Sequence, residues 1–172
     1  MKSNTIYPPM SEREISGAAI SREAATQGMV LLKNINGVLP LKGRGKIALF
    51  GNGAARTIRG GTGSGDPFNG GLSGGGDQDV DQSLRYHINI LSAMETEGFE
   101  IVNREQQMAW ARCYDLAKRE MKDQVMSVFA FPEEPLTTEK LEEYAKETET
   151  AICVISRNSG EGNDRFMKKE VS

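Results

Sequence analysis

The chain has 172 residues, of which 38% are hydrophobic and 26% are charged, and its formal net charge is -3. Because domains commonly contain about 100–200 residues, this length fits one soluble globular domain and excludes a second complete catalytic domain. The charge balance provides no basic surface for nucleic acid, so nucleic acid is not an expected partner.

The first predicted element is an amphipathic helix from about Glu12 to Asn34. Ser11 and Glu14 have the spacing of a capping box, in which each side chain bonds to the backbone of the other residue. Apolar residues then recur at helical intervals. Gly37 interrupts this pattern, so the helix is expected to end before it.

The next element is a short strand that leads into a long loop. The apolar run Lys46–Phe50 (KIALF) stops at Gly51, which is typical of a buried parallel strand followed by a turn. From Gly60 to Gly76, nine of seventeen residues are glycine, so this segment has little tendency to form a helix or a strand. We therefore predict a flexible loop near residues 60–80.

Helices and strands alternate in the rest of the chain. The predicted elements are a helix over residues 81–98, a strand at Phe99–Val102, helices at Arg104–Met121 and Thr138–Thr148, and a strand at Ala151–Ile155. Such alternation predicts βαβ units, and hence an α/β fold in which a parallel sheet has helices on both faces as a three-layer sandwich. Three strands make a thin sheet, so we expect the sandwich to be incomplete in this chain.

Several classes of protein are disfavoured by local sequence. Residues 1–10 contain no apolar core for a secretory signal or a membrane anchor. The longest apolar runs, such as Met29–Leu32, fall far short of the ~20 residues that span a bilayer. Cys113, in a predicted helix, and Cys153, in a predicted buried strand, are too few for a disulfide framework and have the wrong pattern for a metal site. We expect a cytoplasmic protein without membrane contact.

Two loops follow the carboxyl ends of predicted strands, where ligands bind in open parallel sheets. The loop after Ile155 contains Glu161 between Gly160 and Gly162, so the backbone can bend and present the carboxyl group of Glu161 to a cleft. A partly desolvated carboxyl group in such a place can donate a proton. The plainer interpretation of the same residues is a solvated surface turn.

The loop after Phe50 partly matches the dinucleotide-binding fingerprint. Gly51 and Gly53 follow the strand, but Arg56 stands where the third glycine or alanine belongs, and the acidic ribose partner about twenty residues later is missing. A Rossmann-like nucleotide-binding domain is therefore the weakest alternative. We interpret His87 as a surface or packing residue and Trp110 as a core residue.

Three segments, in order and spacing, resemble the start of the sandwich domain of family 3 glycoside hydrolases. They are Ala24–Leu41 (AATQGMVLLKNINGVLPL), Lys46–Asp66 (KIALFGNGAARTIRGGTGSGD) and Ala151–Arg165 (AICVISRNSGEGNDR). Residues 85–102 also resemble the second helix and strand of that domain. The resemblance implies an N-terminal extension over residues 1–20 and a partial sandwich domain over residues 21–172.

The resemblance also implies a retaining β-glycosidase mechanism without a cofactor. In the family, an aspartate on a barrel domain attacks the anomeric carbon, and a glutamate of the sandwich domain, ~5 Å away, protonates the leaving oxygen and later activates water. Glu161 matches that glutamate, because it lies just before a Gly-x-Asp-Arg sequence. Ser64 is implied to contact the glucosyl unit of a β-glucoside or oligosaccharide, and Gly65 or Asp66 to shape the turn.

The barrel that carries the nucleophile takes about 250 residues and does not fit into this chain. The order of the motifs resembles the minority of the family in which the sandwich precedes the barrel. We therefore expect the chain to be inactive without a barrel-bearing partner, and its open sheet edge to pair with another copy or with the missing half. The alternative from another class is a non-catalytic carbohydrate-binding or interaction module.

Overall fold

The structure is a computed structural model that describes residues 8–58, 88–120 and 129–157. It divides into two compact units, Met1–Gly43 and Arg44–Ser172. Within the described ranges, no helix is long and apolar enough to cross a membrane.

The first unit contains helix α1 (Glu12–Gln27) and a 3₁₀ turn at Ile35–Gly37. The predicted capping box is confirmed, since the Ser11 backbone N–H donates to Glu14 Oε2 at 2.8 Å and the Glu14 N–H donates to Ser11 Oγ at 3.3 Å. The predicted end of the helix at Asn34 is wrong, because α1 stops at Gln27.

Two local interactions explain the early end of α1. Gly28 is a poor helix former, and its N–H closes the last turn on the Ala24 carbonyl. Further along, the Asn34 amide donates to the Leu39 carbonyl at 2.8 Å and accepts from the Leu39 N–H at 3.1 Å. These side chain to backbone bonds stabilise a turn over residues 34–39 and compete with helix formation.

In the part of the second unit that the structure describes, a parallel sheet of three strands forms the centre. They are β1 (Lys46–Phe50), β2 (Glu100–Ile101) and β3 (Ala151–Cys153), in the order β2-β1-β3. The helices that the described residues of this unit form are α2 (Asn52–Ala55), α3 (Ile90–Thr96), α4 (Arg104–Glu120) and α5 (Thr138–Ala145). The alternation predicted from sequence is confirmed, and the fold is an α/β sandwich.

The register places β1 at the centre of the sheet. The paired residues are Lys46 with Glu100, Ile47 with Ile101, Ala48 with Ala151, Leu49 with Ile152, and Phe50 with Cys153. Since β1 has a strand on each side, it forms the buried core of the unit, with Leu49 0% exposed. The other buried apolar residues of the described part are Ile47, Ala48, Ala54, Ala55, Leu91, Ile101 and Ala111.

A buried amide extends the short pairing between β1 and β2. The Asn103 side chain accepts from the Leu49 N–H at 2.9 Å and donates to the Leu49 carbonyl at 2.8 Å. Asn103 is only 3% exposed, so these bonds form away from water. The side chain thus takes the place of one residue of a longer β2 strand.

Strand β3 differs from the prediction of a buried strand. Ala151 and Cys153 are exposed, and Ile152 between them is half-buried. Because successive side chains of a strand point to opposite faces, only the face that carries Ile152 packs against the core. Cys113 on α4 and Cys153 on β3 are both free and exposed.

Candidate functional site

The candidate site lies at the carboxyl edge of the sheet, where β1 and β3 end side by side. Phe50 and Cys153 are paired, and the Val154 N–H donates to the Phe50 carbonyl at 2.8 Å, one residue beyond β3. The loops that follow these two strands therefore begin next to each other. They are the two loops that the sequence marked as candidates for chemistry.

Two glycines allow the loops to approach closely. Gly51 has φ +95°, and a Cβ atom there would overlap the Val154 carbonyl oxygen. A Cβ atom on Gly53 would overlap Ser156 Oγ and lie 2.8 Å from Val154 Cγ1. Gly51 thus requires glycine, whereas a side chain at Gly53 would force the side chains of Ser156 and Val154 to shift. The close approach of the neighbouring loop gives a physical reason for the partial dinucleotide fingerprint.

Asn52, between these glycines, joins three parts of the unit. Its backbone N–H donates to Glu133 Oε2 at 2.7 Å, and its Nδ2 donates to the carbonyls of Phe131 at 3.1 Å and Pro132 at 2.9 Å. Its Oδ1 accepts from Trp110 Nε1 at 2.8 Å. Asn52 therefore fixes the segment 131–133 and helix α4 to the turn after β1.

An aromatic cluster holds the same segment from the side of α4. The ring centroids of Trp110 and Phe131 lie 5.2 Å apart, and those of Tyr114 lie 4.9 Å from Phe129 and 5.5 Å from Phe131. Such tilted and edge-on contacts stabilise beyond the area they bury. The segment 129–133 is consequently well anchored although it forms neither helix nor strand.

Arg56 follows the short helix α2 and connects it to α4 through an ion pair. Its Nε donates to Asp115 Oδ1 at 2.6 Å, and its Nη2 donates to Asp115 Oδ2. This two-pronged pair is the geometry that a guanidinium favours with a carboxylate. Arg56, which stands where the dinucleotide-binding fingerprint has glycine or alanine, therefore forms an ion pair with Asp115 of α4.

Tyr144 on α5 lies beside the end of β1, with its ring centroid 6.1 Å from that of Phe50. Burial raises the pKa of its phenol, and the carboxylates of Glu134 and Glu143 raise it further. The hydroxyl is therefore protonated at neutral pH and contributes no charge to this edge.

The sequence pattern did not indicate a structural or functional role for Asn52 or Glu133 at this edge, and it predicted that Trp110 is a core residue. Trp110 is half-buried and bonded to the loop after β1. The signal for Asn52 was its position directly after a strand and between two glycines. Glu133 carried no local signal, because its place at this edge results from contacts across 81 residues of sequence.

The residues predicted to carry the chemistry, Ser64, Gly65, Asp66 and Glu161, lie outside the described residues, as does His87. What the described part provides is the start of both loops on which those residues lie. Within that part, no group of three or more His, Cys, Asp or Glu side chains is arranged to hold a metal ion.

Comparison with known proteins decides the family. The model of the glycosyl hydrolase family 3 C-terminal domain matches residues 29–170. The chain belongs to glycoside hydrolase family 3. Beta-glucosidase A of Butyrivibrio fibrisolvens is 34% identical over 148 residues, which cover 85% of this chain and 15% of that relative. No solved structure matches the chain.

The family 3 match confirms the resemblance that the sequence motifs indicated. The matched residues include both edge loops and all three strands of the sheet. The chain spans only 15% of the length of beta-glucosidase A.

Proposed function

We propose that this chain is the sandwich-domain part of a retaining β-glucosidase and supplies its general acid/base, Glu161. The observation that supports this most is the close approach of Ser156 to Gly53, which places the described starts of the loops that lead to Glu161 and to Ser64 against each other. A proton donor and a sugar-binding hydroxyl group carried by these loops would thus belong to one cleft. Family membership supplies the chemistry, and the name of the relative suggests a β-glucoside as substrate.

In this proposal the reaction needs two carboxyl groups. Glu161 protonates the oxygen of the leaving group while an aspartate on a barrel domain attacks the anomeric carbon at ~5 Å, and Glu161 then takes a proton from the water that hydrolyses the glycosyl intermediate. Ser64 donates a hydrogen bond to the glucosyl unit, and Gly65 and Asp66 shape the turn that presents Ser64. In this proposal the nucleophile comes from a barrel domain outside these 172 residues, and hydrolysis requires both parts.

A nucleotide-binding function is disfavoured by the contacts of the turn after β1. In dinucleotide-binding domains the pyrophosphate lies on the backbone N–H groups at this point. Here the Asn52 N–H donates to the Glu133 carboxylate at 2.7 Å. A phosphate in the same place would face a negative charge.

The proposal is tested by the hydrolysis of an aryl β-glucoside by the chain combined with a barrel-domain partner. Glu161→Ala should lower kcat by about 10²–10⁴-fold, because a positioned general acid/base contributes that much. The loss should be larger for poorer leaving groups, and azide should restore turnover by replacing the activated water.

The matched control is Glu142→Ala, which removes an exposed glutamate on α5. This variant should keep wild-type activity. If Glu161→Ala is as active as the control, Glu161 is not the acid/base. If the wild-type pair binds glucose but hydrolyses no glycoside, the chain is a carbohydrate-binding module.

A further inference from the structure

Strand β3 has β1 on one side and a free backbone edge on the other. The Thr150 carbonyl and the Val154 N–H bond to the backbone of β1, at 2.9 Å and 2.8 Å. Because backbone groups alternate between the two sides of a strand, those of Ala151 and Cys153 point away from β1. Within the described ranges, no residue bonds to them. Such an edge is a template for pairing with another chain.

The β3 edge lacks the features that prevent such pairing. Residues 150–156 contain no charge and no proline, which are the residues that commonly protect an edge strand. The side chains of Ala151 and Cys153 are exposed, and Ile155 is 68% exposed. The other edge strand of the described sheet, β2, has only two residues, and one of them is Glu100. The β3 edge is therefore the better suited to accept a further strand.

The charges that flank β3 decide which strand fits it. Glu149 and Arg157 lie four residues before and four residues after Cys153, and both are exposed. Neither forms an ion pair with another described residue. If two copies pair antiparallel about Cys153, Glu149 of each copy lies opposite Arg157 of the other. Parallel pairing in register would instead place like charges together, which is destabilising. The segment 149–157 is thus complementary to itself in the antiparallel direction.

We infer that the β3 edge is a dimer interface, at which two copies of this chain pair antiparallel about a two-fold axis at Cys153. Cys153 then faces its equivalent as a hydrogen-bonded pair with Cα atoms about 5.5 Å apart. Ala151 of each copy lies opposite Ile155 of the other, and the two sheets become one. The same patch serves both copies, so the assembly closes at two. This inference goes beyond the proposed function and does not depend on it.

The size of the paired segment sets the expected affinity. Residues 149–157 form a small interface, below the standard of about 800 Å² per partner. A dissociation constant in the micromolar range, on the order of 1–100 μM, is therefore expected. Sedimentation equilibrium of the full chain measures it.

Reversing the flanking charges tests the pairing direction. Glu149→Arg should weaken the dimer about 10-fold, because repulsion replaces attraction at two places. Adding Arg157→Glu to the same chain should restore the dissociation constant to within about twofold of wild type, since the pairs form again with opposite sign. The matched control is Glu142→Arg, which makes the same charge change at an exposed position on α5 and should leave the dimer unchanged.

The two cysteines test the position of the axis. Cys113 on α4 and Cys153 are the only thiols of the chain. A Cα separation of about 5.5 Å lies within the range of disulfides, so mild oxidation of Cys113→Ser should give a covalent dimer. Oxidation of Cys153→Ser under the same conditions should leave the chain uncrosslinked.

Three results would overturn the inference. A wild-type chain that stays monomeric at about 100 μM contradicts it and leaves the edge to another part of the enzyme. A double variant that is no tighter than Glu149→Arg contradicts the antiparallel pairing. Oligomers that grow beyond two copies contradict an interface that closes at two. Circular dichroism of each variant, with substitutions confined to exposed positions, separates loss of pairing from loss of the fold.

Discussion

Replacing Asn103 with leucine tests how the two-residue strand β2 is joined to the centre of the sheet. The Asn103 amide bonds to both backbone groups of Leu49, at 2.9 Å and 2.8 Å, and Leu49 is 0% exposed. Leucine has a similar volume but offers neither donor nor acceptor. The substitution therefore leaves a buried N–H and a buried carbonyl without partners.

The expected loss follows from those two groups. An unsatisfied buried polar group costs about 1–3 kcal/mol, so Asn103→Leu, which leaves two of them, should lower the free energy of unfolding by about 2–6 kcal/mol. With a denaturant slope of ~2 kcal/mol per molar urea, the midpoint of unfolding should fall by roughly 1–3 M. Circular dichroism in urea measures both quantities.

Asn89→Leu is the matched control for this experiment. Asn89 is half-buried and caps α3 by accepting from the Ser92 N–H at 2.8 Å, so its loss should cost about 1 kcal/mol. If Asn103→Leu costs no more than Asn89→Leu, the backbone groups of Leu49 find other partners, and the argument that Asn103 completes β2 is wrong.

Two further predictions concern a close approach and a charge. In thermal melts, Gly53→Ala should destabilise the protein by about 1–3 kcal/mol through overlap with Ser156. The control Gly17→Ala should be neutral or stabilising, because a Cβ atom at Gly17 has nothing within 4 Å. Equal effects of the two substitutions would refute the close approach of Ser156 to Gly53. The hydrogen bond to Glu147 and the charge of Glu100 raise the pKa of Lys46 in the folded protein. The ion pairs of Lys46 therefore stabilise the fold fully at a pH below the pKa of this lysine in the unfolded chain. This stabilisation is lost as the pH rises through the pKa of Lys46 in the folded protein. Lys46→Met should therefore reduce the loss of melting temperature between neutral and strongly alkaline pH, and an unchanged loss would contradict this assignment.

The sheet could be predicted because its strands are marked locally. Lys46–Phe50 is an apolar run bounded by glycine, and the structure gives the strand these bounds. The end of α1 could not be predicted in the same way. The helix ends at its C-cap, Gly28, and the bonds between Asn34 and Leu39 stabilise a turn further along that the helical spacing of the apolar residues does not reveal.

Asn103 illustrates how the same residue type can serve two purposes. An asparagine directly before a helix usually caps it with its side chain. The Asn103 carbonyl does accept the first helical bond of α4, from the Gln107 N–H at 3.0 Å, but its amide turns to Leu49. That choice depends on the distance between β1 and β2 in the folded sheet.

The sequence by itself determined the order of helices and strands, the family, and the two loops that could carry chemistry, because periodicity, glycine placement and short motifs are local properties of the chain. Only the tertiary structure decided that these loops begin side by side, that Gly51 and Gly53 serve their contact, and that Glu133 lies at the same edge. The physical reason is that parallel pairing of β1 with β3 joins residues about a hundred positions apart. Such pairing depends on packing that no local pattern records.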